Sequence, residues 1–566
     1  MKPSLILLCA YAVLGFLAFL LYGIDKLKAK CHTWRIKESV LLGIAFLGGA
    51  VGAILGMLVF RHKTRHWYFR VRPLLATRAL SLVAVWIRGI GKQENRKQEK
   101  TDMTKLFRFR AADFSDGRNT TPAVVAALAE LSPSDGAKLA FEQGIYHFDT
   151  DGARERFCAV SNNNCGVKQI VFLLERMRNL TVDGGGSVFV FHGKAFPFAA
   201  VACKGLTLEN IVFDRALPPV AELRFRDLTD DGFFMEIDRA KTPYRVENGD
   251  IVFPREGWEL RSDERMMPLH KIEPFGVQYL FTAHCRDQRK NLPAPICDVS
   301  AEEADGGIRF RYPSGTPSGF RMREGEHGLT IVEGGRDLDV IWLCDSEDTT
   351  VRNITVRRGC GMGVIAQTCE NIEIDRFRTD SAYHGAAFSL TADALHFVNC
   401  NGLIEIHDCL IENTMDDAVN VHGIYTELES AEKGALRVRL KHHEQKGVNV
   451  YRAGDRLHLI DPASMEIVSE FRVSETAFDG DGLTAIRIAG EFLFGEAAAR
   501  AGCFVENPGR MPDVHVWKNR FFHFPNLRIS GGGKLLIEDN GMECGCSALT
   551  VTDLAQYWFE SGRVRD

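Results

Sequence analysis

Two short stretches of the chain concentrate groups that could move protons. One is Thr391-Ala392-Asp393-Ala394-Leu395-His396-Phe397. The other is Met415-Asp416-Asp417-Ala418-Val419-Asn420-Val421-His422-Gly423. From Asp393 to Asp416 is 23 residues, about one coil of a parallel β-stack, and stacked strands repeat at roughly 4.8 Å. Asp393 then lies one rung from the Asp416–Asp417 pair. Three carboxyls that close cannot all ionise at their ordinary pKa, so at least one holds a proton near neutral pH. A protonated carboxyl beside an ionised one is the equipment for cleaving an acetal: one protonates the leaving oxygen, and the other activates water or attacks directly. Neighbouring residues on a strand point to opposite faces, so Asp416 and Asp417 can both serve only if the strand ends or bulges there. An Asp-Asp pair by itself is more often a turn or a solvated surface. The Asp one coil earlier, with His396, Asn420 and His422 nearby, tips the balance towards catalysis. Clustered Asp can also bind calcium, but a calcium cage wants more carboxylate and carbonyl oxygens, so no metal is expected.

Such a cluster needs a scaffold that stacks one coil on the next. Short strands alternating apolar with polar residues recur at irregular intervals: Leu180-Thr181-Val182-Asp183, Leu206-Thr207-Leu208-Glu209-Asn210-Ile211, Thr350 to Val356, Asn371-Ile372-Glu373-Ile374, Ile404-Glu405-Ile406, Val514 to Asn519 and Leu535 to Asn540. Period-two alternation marks a strand with one buried face. No coil buries its own apolar face, so the stack does it collectively, and Asn beside the strands can ladder at the turns. Near the start of this region, Pro122 opens a helix over Ala123 to Leu131, placed to cover the open end of the stack. The expected fold is therefore mainly β: a right-handed parallel β-helix over 104–566. Two regions break its pattern, about 215–328 and about 425–505, and each is expected to be a small inserted β-barrel.

At 566 residues the chain is too long for one ordinary core, and at least two domains are expected. A net charge of -5 gives no basic field for nucleic acid. The 15 Cys residues are scattered without paired C-x-x-C motifs, which fits reduced, buried thiols rather than a disulfide framework. Near the N-terminus, Ser4 to Ile24 and Ser39 to Phe60 carry no charge and reach the roughly 20 apolar residues of a bilayer span. Pro73 to Ile90, interrupted by Arg78 and Arg88, is a marginal third. These stretches predict an α-helical transmembrane domain at 1–90, with membrane contact through 4–90. A multi-pass location in a bacterial inner membrane follows, the side holding the β-region being open. Residues 91–103 form a polar linker.

Two resemblances sharpen this picture. Tyr22-Gly23-Ile24-Asp25-Lys26, Trp34-Arg35-Ile36, Gly48-Gly49 and Phe60-Arg61-His62-Lys63-Thr64 resemble the bacterial domain of unknown function 1294, over about the first 90 residues. From about Phe107 onward the chain resembles glycoside hydrolase family 110, the exo-acting α-1,3-galactosidases of bacteria. The words that carry this are Gln367, the 391–397 and 416–423 stretches, and Trp558-Phe559-Glu560-Ser561-Gly562. The resemblance implies an inverting hydrolase that removes terminal α-1,3-linked galactose from a galactose-terminated oligosaccharide or glycoconjugate, of blood group B or linear α-galactosyl type. It implies Asp416 as general acid and Asp393 with Asp417 as holders of the water, with no cofactor. Gln367, His384, His396, Asn420, His422 and Glu560 are candidates to bind sugar hydroxyls, and Trp558 to stack on the sugar. Where the family pattern continues into another strand, this sequence stops at Arg563-Val564-Arg565-Asp566, so missing last coils are expected. Two alternatives remain at this point. One is a membrane-anchored, non-catalytic glycan-binding β-helix. The other is a polygalacturonase-like hydrolase, which would need Lys or Arg beside the acids.

Overall fold

The structure is a computed structural model. It describes residues 3–30, 36, 40–41, 55 and 59, then 105–562 with gaps at 133–135, 263–266, 274–275, 284–295, 298–299, 312–321, 334–335, 433, 491–501, 545–546, 553–554 and 556–557. The chain divides into two units, Met1–Met103 and Thr104–Asp566.

In the first unit a helix spans Pro3–Lys30. Among the described residues no helix is long and apolar enough to cross a membrane. This overturns the multi-pass inner-membrane location, and leaves the transmembrane domain and the membrane contact through 4–90 without support. The last turns of the helix carry Asp25, Lys26, Lys28 and Lys30, charges that a bilayer core disfavours. Asp25 is buried and accepts a hydrogen bond from the Ile36 amide at 3.0 Å, a polar packing contact rather than a lipid-facing one. The second and third apolar stretches lie outside the described residues, apart from Val40, Leu41, Leu55 and Val59.

The second unit is mainly β. Two long sheets run through it, each built from strands contributed coil by coil. Sheet one takes Lys105–Phe109, Ala137–Phe141, Leu180–Phe191, Thr207–Arg215, Glu347–Val356, Glu370–Asp375, Asn401–His407, Asp513–Trp517 and Leu535–Glu538 in spatial order. Sheet two takes Gly166–Glu175, Ala195–Val201, Ile341–Cys344, Val364–Gln367, Leu395–Val398, Val419–Ile424, Leu527–Ile529 and Leu549–Thr550. Successive coils pair in parallel and align like with like: Val351 lies beside Leu208 and Ile374, and Val364 beside Ile341 and Leu395.

Stacking in register puts apolar residues of both sheets into one interior, where Phe141, Phe172, Phe189 and Phe198 meet Ile211, Val351, Ile374, Phe397 and Val421. Phe172 and Phe198 stack at 4.1 Å. Burying each such ring contributes about 1.5–3 kcal/mol. The helix at the start runs Thr121–Ala129, with Val124, Ala127 and Leu128 buried and joined to the same interior.

The turns repeat as faithfully as the strands. After successive strands of sheet two, Ala202, Asp345, Thr368 and Asn399 all adopt positive φ, between 52° and 56°. Each is followed by a small residue buried in the stack: Cys203, Ser346, Cys369 and Cys400. The Cys203 and Cys400 thiols donate to the carbonyls of Leu174 and Ala366, at 3.4 and 3.3 Å. On sheet one Asn210 and Asn353 take positive φ and join side chains at 2.8 Å, a two-rung Asn ladder.

Both insertions leave the stack between strands that remain neighbours. Thr207–Arg215 pairs with Glu347–Val356, and the segment between them forms an eight-stranded sheet with a three-stranded one. Among the described residues the eight-stranded sheet ends at Ile296–Cys297 and Ser300–Ala304 rather than closing. Near its base Arg215 and Arg255 share buried Glu333; breaking such a buried pair strands a charge and costs about 3–5 kcal/mol. The second insertion, between Asn401–His407 and Asp513–Trp517, closes into a six-stranded barrel.

Candidate active site

The strand register fixes which member of the Asp416–Asp417 pair lies beside Asp393. Leu395 pairs with Val419, so the rung neighbour of Asp393 is Asp417. The Ala394 amide donates to the Asp417 carbonyl at 3.0 Å. Asp416 lies in a bend and Asp417 just after it, both before the strand begins, which frees both side chains from the alternation that would send them to opposite faces. Asp416 Oδ1 takes the Asp417 amide at 3.1 Å. One carboxyl oxygen from each of Asp393, Asp416 and Asp417 lies within 4.8 Å of the other two.

They sit in a cleft with about 370 Å³ of free space, part of it open to solvent. Besides the three aspartates, Asn162, Arg336, His396, Asn420, Arg528, Trp558 and Glu560 line it. Asp393 and Asp417 are buried at its floor, whereas the Asp416 side chain is 42% exposed. Arg336 Nη2 donates to Asp416 at 2.7 Å, and Arg528 Nε to Asp417 at 3.3 Å. Burial pushes the Asp393 carboxyl well above the carboxylate range, with the Asp416 charge adding to it. Burial also raises Asp417, helped by the charges of Asp393 and Asp416 and opposed by Arg528. Two carboxyls so placed cannot both ionise readily. The two guanidinium groups oppose a cation at the cluster.

Not every residue expected at the site reaches it. Asn420, Trp558, Glu560 and His396 line the cleft. His422 lies behind His396, fully buried, with Nε2 3.0 Å from His396 Nε2 and 3.5 Å from Glu560 Oε1. Burial holds both imidazoles down at about 4. Gln367 does not line the cleft; its side-chain oxygen accepts from the Ser161 amide at 2.9 Å, anchoring the loop that carries Asn162. His384 does not line it either, and bonds Asp214 at 2.8 Å. Asn420 Oδ1 and Glu560 Oε2 are buried with no hydrogen-bond partner. A buried acceptor left unmet beside a cleft is unusual, and each could take a hydroxyl.

Three cleft residues escaped the sequence reading: Asn162, Arg336 and Arg528. Asn162 stands at positive φ in the Ser-Asn-Asn-Asn run at 161–164, and Arg336 follows Gly334-Gly335. Such turn chemistry was the available signal. The network is tightly joined: Arg336 Nη1 donates to the Asn162 carbonyl at 3.0 Å, and Asn162 Nδ2 to Glu560 at 3.4 Å. Glu560 arrives on the short strand Glu560–Ser561, antiparallel to Val419–Ile424. A Cβ on Gly423 would lie 2.2 Å from Ser561 Oγ, so any larger residue there requires that hydroxyl to turn away. The barrel also reaches the cleft, as Gln445 Nε2 donates to the Trp558 carbonyl at 3.1 Å and the His442 ring lies 4.7 Å from the Trp558 ring.

Residues 15–69 match the family described as "Protein of unknown function (DUF1294)", and residues 435–488 match "GLAA-B beta-barrel domain II". The second match covers barrel strands from Ala435–Arg439 to Leu483–Ile488. The chain is 27% identical over 460 residues to alpha-1,3-galactosidase A of Shewanella woodyi, covering 80% of this chain and 72% of that one. It is 27% identical over 456 residues to alpha-1,3-galactosidase B of Bacteroides thetaiotaomicron, covering 79% and 71%. It is 29% identical over 477 residues to alpha-1,3-galactosidase B of Bacteroides fragilis, covering 79% and 76%. A solved chain of Geobacillus virus E2, ORF18, aligns at 8% identity over 72% of this chain and 82% of that one, with a TM-score of 0.17, too low to bear on the fold. The likeness to curated relatives therefore spans about four-fifths of the chain.

Proposed function

We propose that this protein is an inverting exo-glycosidase that hydrolyses terminal, non-reducing α-1,3-linked galactose from glycans, as glycoside hydrolase family 110 enzymes do. The observation that carries the reading is the trio of carboxyls, two buried and one exposed, in a polar cleft. The similarity to curated α-1,3-galactosidases supports the substrate. The stack is read as a right-handed parallel β-helix, since parallel crossovers take that hand in about 98% of cases.

Asp416 is the general acid. It is the most exposed of the three, where the departing part of the glycan must leave. Asp393 and Asp417 hold the water at the floor. Asn420, Glu560 and Asn162 receive sugar hydroxyls, and Trp558 offers a flat apolar face. Carboxyl spacing is the point of tension. Inverting enzymes usually separate their two carboxyls by about 6.5–9.5 Å, and here the nearest oxygens lie within 4.8 Å. The test is proton NMR of the first-formed sugar from a terminal α-1,3-galactoside. β-Galactose is expected, with loss of turnover in Asp416→Asn. α-Galactose would overturn inversion, and retained turnover in Asp416→Asn would overturn the acid.

Arg336 and Arg528 in the cleft favour a second reading, hydrolysis of uronate-containing chains. Each already pairs with an aspartate, so a uronate would have to compete. Cleavage of polygalacturonate with none of α-galactosides would establish it. Binding of galactosides without any turnover would instead mark a non-catalytic module.

A further inference from the structure

Three hydrogen bonds run in line from the cleft floor into the wall behind it. Asp393 Oδ2 lies 2.6 Å from His396 Nδ1, His396 Nε2 lies 3.0 Å from His422 Nε2, and His422 Nδ1 lies 2.6 Å from the Gly423 carbonyl oxygen. Each bond needs one proton. The far end is fixed, because a carbonyl oxygen only accepts and His422 Nδ1 must therefore donate. Two neutral imidazoles bring one proton each, and a carboxylate brings none. Three bonds with two protons leave the chain one short.

On the reading of this cleft as a glycosidase, we propose that the buried Asp393–His396–His422 chain holds one additional proton, resident on Asp393 Oδ2. Asp393 then orients the attacking water as a neutral acid, and Asp417 alone takes the water's proton. His396 and His422 are positioning residues acting through Asp393. The proton could sit on Asp393 or on either imidazole without changing the count of bonds. Burial decides among these, since it disfavours every charged form: both rings are held down at about 4 and Asp393 is pushed up. The titratable and charged groups facing the chain are Asp416 and Asp417 on the next coil, Arg336, Arg528 on the coil beyond and Glu560 on the strand Glu560–Ser561. With Asp393 neutral, one of the charges opposing ionisation of Asp417 disappears, and Arg528 favours its carboxylate.

The chemical step then balances. A water O–H bond breaks and its proton goes to Asp417. The water oxygen bonds the anomeric carbon, the glycosidic C–O bond breaks, and its electron pair on the leaving oxygen takes the proton of Asp416. The Asp393 proton stays in its bond to His396 throughout.

Asparagine tests the assignment, because its amide N–H can donate to His396 Nδ1 as the carboxylic O–H does. Asp417→Asn should cost about 10²–10⁴ in kcat, as loss of a general base does, and Asp393→Asn less than about 10². Equal losses, or a greater loss in Asp393→Asn, would overturn the proposal. A second arm needs no turnover. Nitrogen-15 NMR of the histidine-labelled full chain, assigned with His396→Gln and His422→Gln, should show both rings neutral at pH 7, with the proton on Nδ1 of His422 and on Nε2 of His396. An imidazolium at either ring, or a neutral His396 with its proton on Nδ1, would overturn it. If the native chain cleaves no galactoside, the glycosidase reading falls while the nitrogen spectrum still decides where the proton resides.

Discussion

The two sheets of the stack are built on the same repeat and do opposite things with their outer faces. Strands of sheet one alternate buried and open positions, as in Glu370–Asp375 and Asp513–Trp517. Their outer face carries ion pairs that water reaches, such as Lys138 with Asp183 and Arg352 with Glu373. The central strands of sheet two are buried on both faces, as in Val364–Gln367, Leu395–Val398 and Val419–Ile424. Their inner face joins the main interior, while Ile365, Val398 and Ile424 join a second apolar cluster with barrel residues such as Leu436 and Val438. The cleft is a polar notch in that covered face. A charge on sheet one is screened by water; a carboxyl on sheet two must find a partner or keep its proton. The same burial that stabilises one side of Leu395–Val398 tunes proton affinity on the other.

Substitutions can break or sharpen this contrast. The largest effect is expected from Asp416→Asn, with loss of about 10²–10⁴ in kcat on a terminal α-1,3-galactoside, set against unchanged turnover in Arg352→Gln on sheet one. Phe397→Ala, on the inner side of the sheet two strand, should cost about 3–5 kcal/mol in denaturant unfolding of the second unit; a cost below 1 kcal/mol would deny that sheet two is packed on that side. The third is a pH effect. Unfolded, Asp393 titrates near 3.9, and folded it is held well above that by burial. The folded chain therefore keeps a proton that the unfolded chain has lost, and stability falls as pH rises above about 4 towards the raised value. Melting temperatures of Asp393→Asn should gain on the native chain as pH rises through that window, and a constant difference from pH 4 to 9 would count against burial as the cause. The smallest effect belongs to sheet one, where Lys138→Gln should cost no more than about 1 kcal/mol and less at high salt.

The same contrast explains what could be read from sequence. Every strand recognised by alternation, from Leu180 and Thr207 to Val514 and Leu535, lies in sheet one. Sheet two was invisible to that pattern, since a strand buried on both faces has no polar face to alternate with. Its presence was betrayed only by the functional words at 391–397 and 416–423. Those words put Asp393 one coil from the Asp416–Asp417 pair; which of the two lies directly beside it is set by turn length and not by residue count. His384 and Gln367 looked like sugar ligands because polar residues near catalytic words attract that reading. One is paired with Asp214 and the other anchors a loop. Arg336 and Arg528 come from distant coils, and nothing local announces that they converge.

The late arrival of Glu560 has a further consequence. The cleft draws on Asn162, Arg336, Asp393, Asp416, Arg528 and Glu560, a spread covering most of the second unit. A nascent chain emerging at about 5–20 residues per second can lay down coil upon coil as it leaves the ribosome. It cannot present a finished cleft until the strand bearing Glu560 has folded back beside Gly423. The stacked coils can thus form progressively during translation, while the cleft is completed only when Glu560 docks beside Val419–Ile424, so a chain stopped short of that strand would carry the scaffold without the finished cleft.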